Sequence, residues 1–138
     1  MHRILVLVLL TIVSCARRVS SEDFNHLNGY WEIEEVQFPN GNKKDYPVNT
    51  VVDYIKLENL EGFRKKMVPR FDGTFETSDD AEPFSIIEKN GVFYMRYQNP
   101  LSEWEETLLS LSKDKFSVKN PEGIIYHFKR FEPLNIAL

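Results

Sequence analysis

Along most of the chain, apolar positions come in short runs that alternate with polar ones. Turn-forming residues break these runs roughly every eight to twelve positions. The runs fall at 30–38, 50–57, 63–68, 74–77, 84–89, 92–97, 105–111, 115–119 and 124–131, and they favour β-branched and aromatic residues. In the last run Ile124, Tyr126 and Phe128 share one face, and Ile125, His127 and Lys129 share the other. In 92–97 the set Phe93, Met95 and Tyr97 is apolar enough to face a core. No segment beyond the apolar N-terminus carries a full helical stripe. The nearest are 21–27, which is short, and 51–60, whose Val51, Val52, Tyr54 and Ile55 prefer strand.

The turns fix the connectivity. Asp72-Gly73 and Asn90-Gly91 are two-residue hairpin signals, because their residues accept positive φ. Pro39 to Asn42, Asn59 to Gly62, Asn99-Pro100, Lys113-Asp114 and Asn120 to Gly123 mark the remaining turns. Most gaps are about two to five residues, too short for a parallel crossover, so neighbouring strands should pair antiparallel as a meander. A meander of about eight strands leaves two exposed edges unless it closes, and closure gives an up-and-down barrel. An open sandwich is the other arrangement that the spacing permits.

The N-terminus reads differently. Met1, His2 and Arg3 precede an unbroken apolar run, 4–13, that has signal-peptide length and is too short to span a bilayer. The stretch Ile12-Val13-Ser14-Cys15 resembles the bacterial lipobox, in which a small residue precedes the cysteine that receives lipid. The alternative is an ordinary secretory signal with an incidental cysteine. Cys15 is the only cysteine, so it has no disulfide partner within the chain. The expected organisation is a signal peptide at 1–14, a lipidated cysteine and polar tether at 15–23, and one β domain at 24–138. Ala16 and Arg17 follow the cysteine with no aspartate, which by the lipoprotein sorting rule implies the outer membrane, facing the periplasm. Ser21-Glu22-Asp23 faintly resembles acidic surface-export signals, so surface exposure stays open.

Composition narrows the partners. The chain of 138 residues carries 17 basic and 21 acidic side chains. Removing 1–14 takes away Arg3 and no acid, which leaves 16 against 21, or −5. That balance argues against nucleic acid and against a polybasic membrane patch. Aromatic residues make up 13%, which favours strands or a ligand-lined interior.

The first run opens Asn28-Gly29-Tyr30-Trp31, and a Gly-x-Trp at that position resembles the opening motif of the lipocalins. The final run ends Tyr126-His127-Phe128-Lys129-Arg130. The resemblance implies that Arg130 packs across Trp31 and closes the barrel base. It is nearest to the small lipocalin-like lipoproteins of bacteria, where a lipobox, a tether and a Trp-x-Glu strand (here Trp104-Glu105-Glu106) recur. There is no Thr-Asp-Tyr-like second motif, and the few residues after Phe131 leave no room for the C-terminal helix of larger lipocalins. The resemblance therefore bears on the barrel more than on transport.

Candidate chemistry is sparse. His2, His26 and His127 have no metal-ligand spacing, and neither a metal nor a cofactor is expected. No phosphate loop, nucleophile elbow or triad order is present, so no catalytic residue is assigned and no enzyme is expected. Glu105 and Glu106 should face opposite sides of their strand, with Glu106 sharing parity with Trp104 and Leu108 and able to enter the barrel. There it would meet a cation or a polar ligand group; the blander reading is a rim carboxylate. Tyr94, Tyr97, Trp104, Phe116, Tyr126 and Phe128 are candidates to line a pocket or simply to fill a core. Arg64, Lys65, Lys66 and Arg70 form a basic run, and Glu76, Asp79, Asp80 and Glu82 an acidic one; both read as solvated faces. Together these features point to a membrane-anchored binding module for a small apolar or amphipathic ligand. The alternative is a filled barrel serving as an accessory subunit of an envelope protein complex. Replacing Cys15 with Ser is expected to abolish lipid labelling and release the protein from the membrane fraction of a bacterial host; a variant that stays membrane-bound and labelled would remove the anchor.

Overall fold

The computed structural model describes residues 18–132, apart from the side chains of residues 78 and 79. The signal-peptide and Cys15 readings lie outside the described residues. A 3-10 helix (Ser21–Leu27) precedes nine strands. These are β1 (Gly29–Gln37), β2 (Lys43–Asp45), β3 (Val52–Glu58), β4 (Glu61–Pro69), β5 (Phe75–Lys89), β6 (Val92–Gln98), β7 (Glu103–Leu111), β8 (Lys115–Lys119) and β9 (Ile125–Arg130). All pairings are antiparallel, and β1 also pairs with β9. Strands β1 and β3 to β9 therefore close an eight-stranded barrel, which decides against the open sandwich. Strand β2 sits outside the ring, against the far end of β1.

The helix begins inside the expected tether. The Ser20 hydroxyl accepts a hydrogen bond from the Glu22 amide, and Val19 already packs against the core, so 21–23 belong to the folded part. Two strands differ from the sequence reading. Strand β2 is polar (Lys43-Lys44-Asp45) and carries no apolar signal. The runs 74–77 and 84–89 join into the single fifteen-residue β5 through a polar stretch. Backbone pairing with β4 holds that stretch extended. Pro83 is tolerated there because β6 pairs with β5 only from Phe84 onward, so no ladder partner needs its missing N–H. Beyond Val52 the β4–β5 hairpin lies against the outside of the barrel, where Phe75 stacks on Tyr30 with ring centroids 4.5 Å apart.

The turns follow backbone chemistry. Asn90 (φ 52°) and Gly91 (φ 80°) supply the two positive-φ residues of a primed hairpin turn.

Connectivity defines two ends. The 59–60, 90–91 and 112–114 turns mark the base, which the 3-10 helix covers, and the 99–102 and 120–124 loops mark the mouth. The base half is filled with side chains. Phe116 stacks on Phe128 at 4.6 Å and meets Trp31 edge-on at 4.7 Å, beside Leu27, Ile55 and Met95.

At the base Trp31 stands directly opposite Arg130 in the β1–β9 register. The guanidinium lies 3.8 Å from the indole centroid. Arg130 also donates to the carbonyls of His26 (2.7 Å), Asn28 (2.6 Å) and Lys113 (2.7 Å), while the indole N–H donates to the Leu27 carbonyl at 2.8 Å. Gly29 is required beneath this stack: its φ is +121°, and a Cβ there would lie 2.6 Å from Arg130 Nη1. On the outside of the same seam, Lys129 pairs with Glu32 at 3.2 Å.

Truncating Trp31 to Ala should lower stability by about 3–5 kcal/mol, as for a core aromatic. Urea unfolding measures this, and an unchanged midpoint would show that the stack does not hold the base.

Candidate ligand-binding site at the barrel mouth

Above the filled half the interior opens into a cavity of about 760 Å³. Its apolar lining comes from Ile33, Tyr97, Trp104, Tyr126 and Phe128. Strand parity explains the grouping. Tyr97 and Trp104 are direct partners between β6 and β7, and their rings stack at 5.3 Å with planes 11° apart. Tyr126 and Phe128 are two apart on β9 and share its inner face. Of the sequence candidates, Tyr97, Trp104, Glu106, Tyr126 and Phe128 border the cavity. Phe116 does not: it lies below, 1% exposed, in the base core. Tyr94 has the outward parity and lies under the Lys89 ammonium, 5.1 Å from its ring centroid.

The polar part of the site centres on Arg64. The guanidinium donates to Asp53 Oδ2 at 2.8 Å, to Tyr97 Oη at 3.1 Å and to Glu106 Oε1 at 3.3 Å, and it lies 4.9 Å from the Phe128 ring centroid. Lys66 reaches the other Asp53 oxygen at 3.3 Å from a largely exposed position. Asp53 lies diagonally across from Arg64, since the β3–β4 register pairs Ile55 with Arg64 and Asp53 with Lys66. Glu106 turns inward to this network, whereas Glu105 turns outward to Lys89 at 2.9 Å. The solvated-face reading of the basic run is therefore corrected for Arg64, whose side chain turns inward and is 16% exposed. It holds for Arg70, which is exposed and pairs with Glu76 at 3.5 Å.

Asp53 and Arg64 are the residues that sequence reasoning missed. The parity of Asp53 with Ile55 and Leu57 on β3 was a usable signal for Asp53. For Arg64 the pattern misled, because β4 alternates Phe63, Lys65 and Met67 against Arg64 and Lys66. Phe63 faces outward onto Tyr54, with ring centroids 6.0 Å apart, so its apolar partner is outside the barrel.

Burial and charge set the protonation states. Burial raises the pKa of the Asp53 carboxyl, but Arg64 and Lys66 outweigh it, and the net shift is downward. Burial opposes the charge on Arg64, yet Tyr97, Asp53 and Glu106 hold its pKa well above the usual value. Burial pushes the Tyr97 phenol upward. The network is thus an ionised Arg64 between carboxylates, with Tyr97 as a neutral hydroxyl. Among the described residues no group of three or more His, Cys, Asp or Glu side chains is placed to hold a metal ion.

A filled, plugged base and an open, partly polar mouth define an all-β, closed antiparallel barrel with one internal cavity end. Two solved structures are similar to it. One is a lipocalin-like protein from Bacteroides uniformis ATCC 8492, at 14% identity and a TM-score of 0.48, covering 77% of this chain and 99% of that one. The other is an uncharacterized protein from Bacteroides eggerthii DSM 20697, at 14% identity and a TM-score of 0.48, covering 76% and 99%. No family model matches the chain. None of the curated proteins matches it.

The pH dependence follows from Asp53. Its folded pKa lies below the unfolded value of about 3.9, so it contributes stability above that pH and loses it as pH falls through the folded value. Asp53→Asn should flatten the loss of stability below about pH 4 and cost about 3–5 kcal/mol at pH 7, because it strips charge from a buried pair. Urea titrations from neutral to acid pH test this; an acid slope equal to that of the unaltered protein would place the acid sensitivity elsewhere.

Proposed function

We propose that this protein is a non-enzymatic binding module, held on the cell envelope by lipid on Cys15, that takes a small apolar or amphipathic ligand into its barrel mouth. One observation carries the reading: a cavity of about 760 Å³ with an aromatic wall and a few convergent polar groups. That size and lining suit a small organic molecule. The aromatic rings offer apolar contact area, and the Arg64, Glu106 and Tyr97 groups orient a polar head. The lipobox resemblance of Ile12 to Cys15 supports the anchor, and the residues after Cys15 support the outer membrane.

The accessory-subunit reading rests on the outer face. There Phe71 at the β4–β5 turn is 85% exposed, next to the half-buried Phe75.

Native mass spectrometry of the full chain, extracted gently from a bacterial envelope, tests the choice. A retained small molecule of a few hundred daltons, absent from a Trp104→Ala variant, is expected for a ligand carrier. A bare polypeptide mass that stays bare after incubation with envelope lipid extract, together with co-purifying protein, would favour the accessory subunit.

A further inference from the structure

The charges around the mouth cavity are out of balance. Five carboxylates border it: Asp53, Glu106, Asp80, Glu82 and Glu122. Three cations face them: Arg64, Lys65 and Lys66.

The one deep cation is already neutralised. Both terminal nitrogens of Arg64 are engaged, Nη2 by Asp53 at 2.8 Å and Nη1 by Glu106 at 3.3 Å. Lys66 is held by Asp53 at 3.3 Å, and its side chain is 75% exposed, so solvent screens it. Lys65 borders the cavity half-buried and, among the described residues, forms no ion pair. An incoming carboxylate or phosphate would therefore find Lys65 as its one free cation among the described residues, against three free carboxylates, Asp80, Glu82 and Glu122. The inner cluster is neutral as a whole, since Arg64 and Lys66 balance Asp53 and Glu106, so it offers an anion no net attraction. Among the described residues Asp80, Glu82 and Glu122 form no ion pair and outnumber Lys65, so the outer part of the cavity carries the excess negative charge, screened by solvent at the exposed Asp80 and Glu122.

The apolar wall points the same way. The stacked Tyr97 and Trp104 rings and the Tyr126 ring border the same space. Aromatic faces attract cations and add nothing for an anion.

We propose that the ligand of this cavity is an organic cation, an amine or quaternary ammonium carried on an apolar body. The proposal rests on the reading of the mouth as a ligand site and names the ligand's chemical class. The cationic head lies towards Glu106 and the rim carboxylates, and the apolar body lies along Trp104, Tyr126 and Ile33. Glu106 is then the specificity-determining residue, because without its charge Arg64 and Lys66 would outweigh Asp53 and leave the inner end of the cavity net positive.

The test uses three small, water-soluble probes with a common aromatic body: benzyltrimethylammonium, benzylsulfonate and benzyl alcohol. Each is titrated calorimetrically into the purified full chain at neutral pH. The ammonium probe should bind at least about tenfold more tightly than the sulfonate, which is about 1.4 kcal/mol. Glu106→Gln should bring the two probes towards parity, and Trp104→Ala should weaken all three together. Binding without charge preference, or a preference for the sulfonate, overturns the cationic class and leaves the ligand site standing. No binding by any probe overturns both. The ranking in the unaltered protein decides the matter even where Glu106→Gln fails to fold.

Discussion

The pairing of β1 with β9 is the constraint on which the rest depends. Without it the meander is an open sheet with two free edges. With it, Trp31 and Arg130 are brought face to face across the seam. Arg130 then does three things from one position. It covers the indole, it ties the 3-10 helix to the barrel through the carbonyls of His26 and Asn28, and it fastens the 112–114 turn through Lys113. Burial disfavours the charge on Arg130, and its pKa is lowered, but three carbonyl acceptors and an aromatic face replace the lost water. Gly29 makes this possible because only a residue without Cβ leaves room for the guanidinium.

A barrel of eight strands has room for a filled core or for a small ligand, but not for much of both. Here the two are divided along the axis. Trp31, Phe116, Phe128 and Leu27 fill the base, and the space above Phe128 stays open. The boundary is ionic. Arg64 lies over the Phe128 ring and binds Asp53, Glu106 and Tyr97. Such a network stabilises little compared with apolar residues of equal volume, since its attraction is set against desolvation. Its consequence is selective: it fixes which polar groups a molecule in the mouth meets.

The legible parts of the chain were those where one face is buried and the other wet. On β6 and β9 the period-two pattern matched the pleat, so Met95, Tyr97 and Phe128 could be placed inward from the sequence. The inward turn of Glu106 was also available from its parity with Trp104 and Leu108. The pattern failed where a strand has apolar neighbours outside the barrel. Phe63 faces Tyr54 on the outer surface, and this inverts the apparent parity of β4 and hides Arg64. Strand β2 and the polar centre of β5 were invisible for another reason: backbone pairing with β1 and β4 makes them strands, and propensity does not.

The sequence by itself determined the all-β class, the antiparallel order and the turn positions. These rest on local causes: alternation, positive-φ residues and short connections. The meeting of Trp31 and Arg130 was implied only by a family resemblance and is shown by the β1–β9 register. Only the tertiary structure decided that the meander closes, that Phe116 belongs to the base rather than the cavity, and that Asp53 and Arg64 meet inside. Those facts depend on register between strands and on what covers each face. Neither is encoded in the neighbours along the chain; both are set when the barrel closes and each side chain is given an inside or an outside.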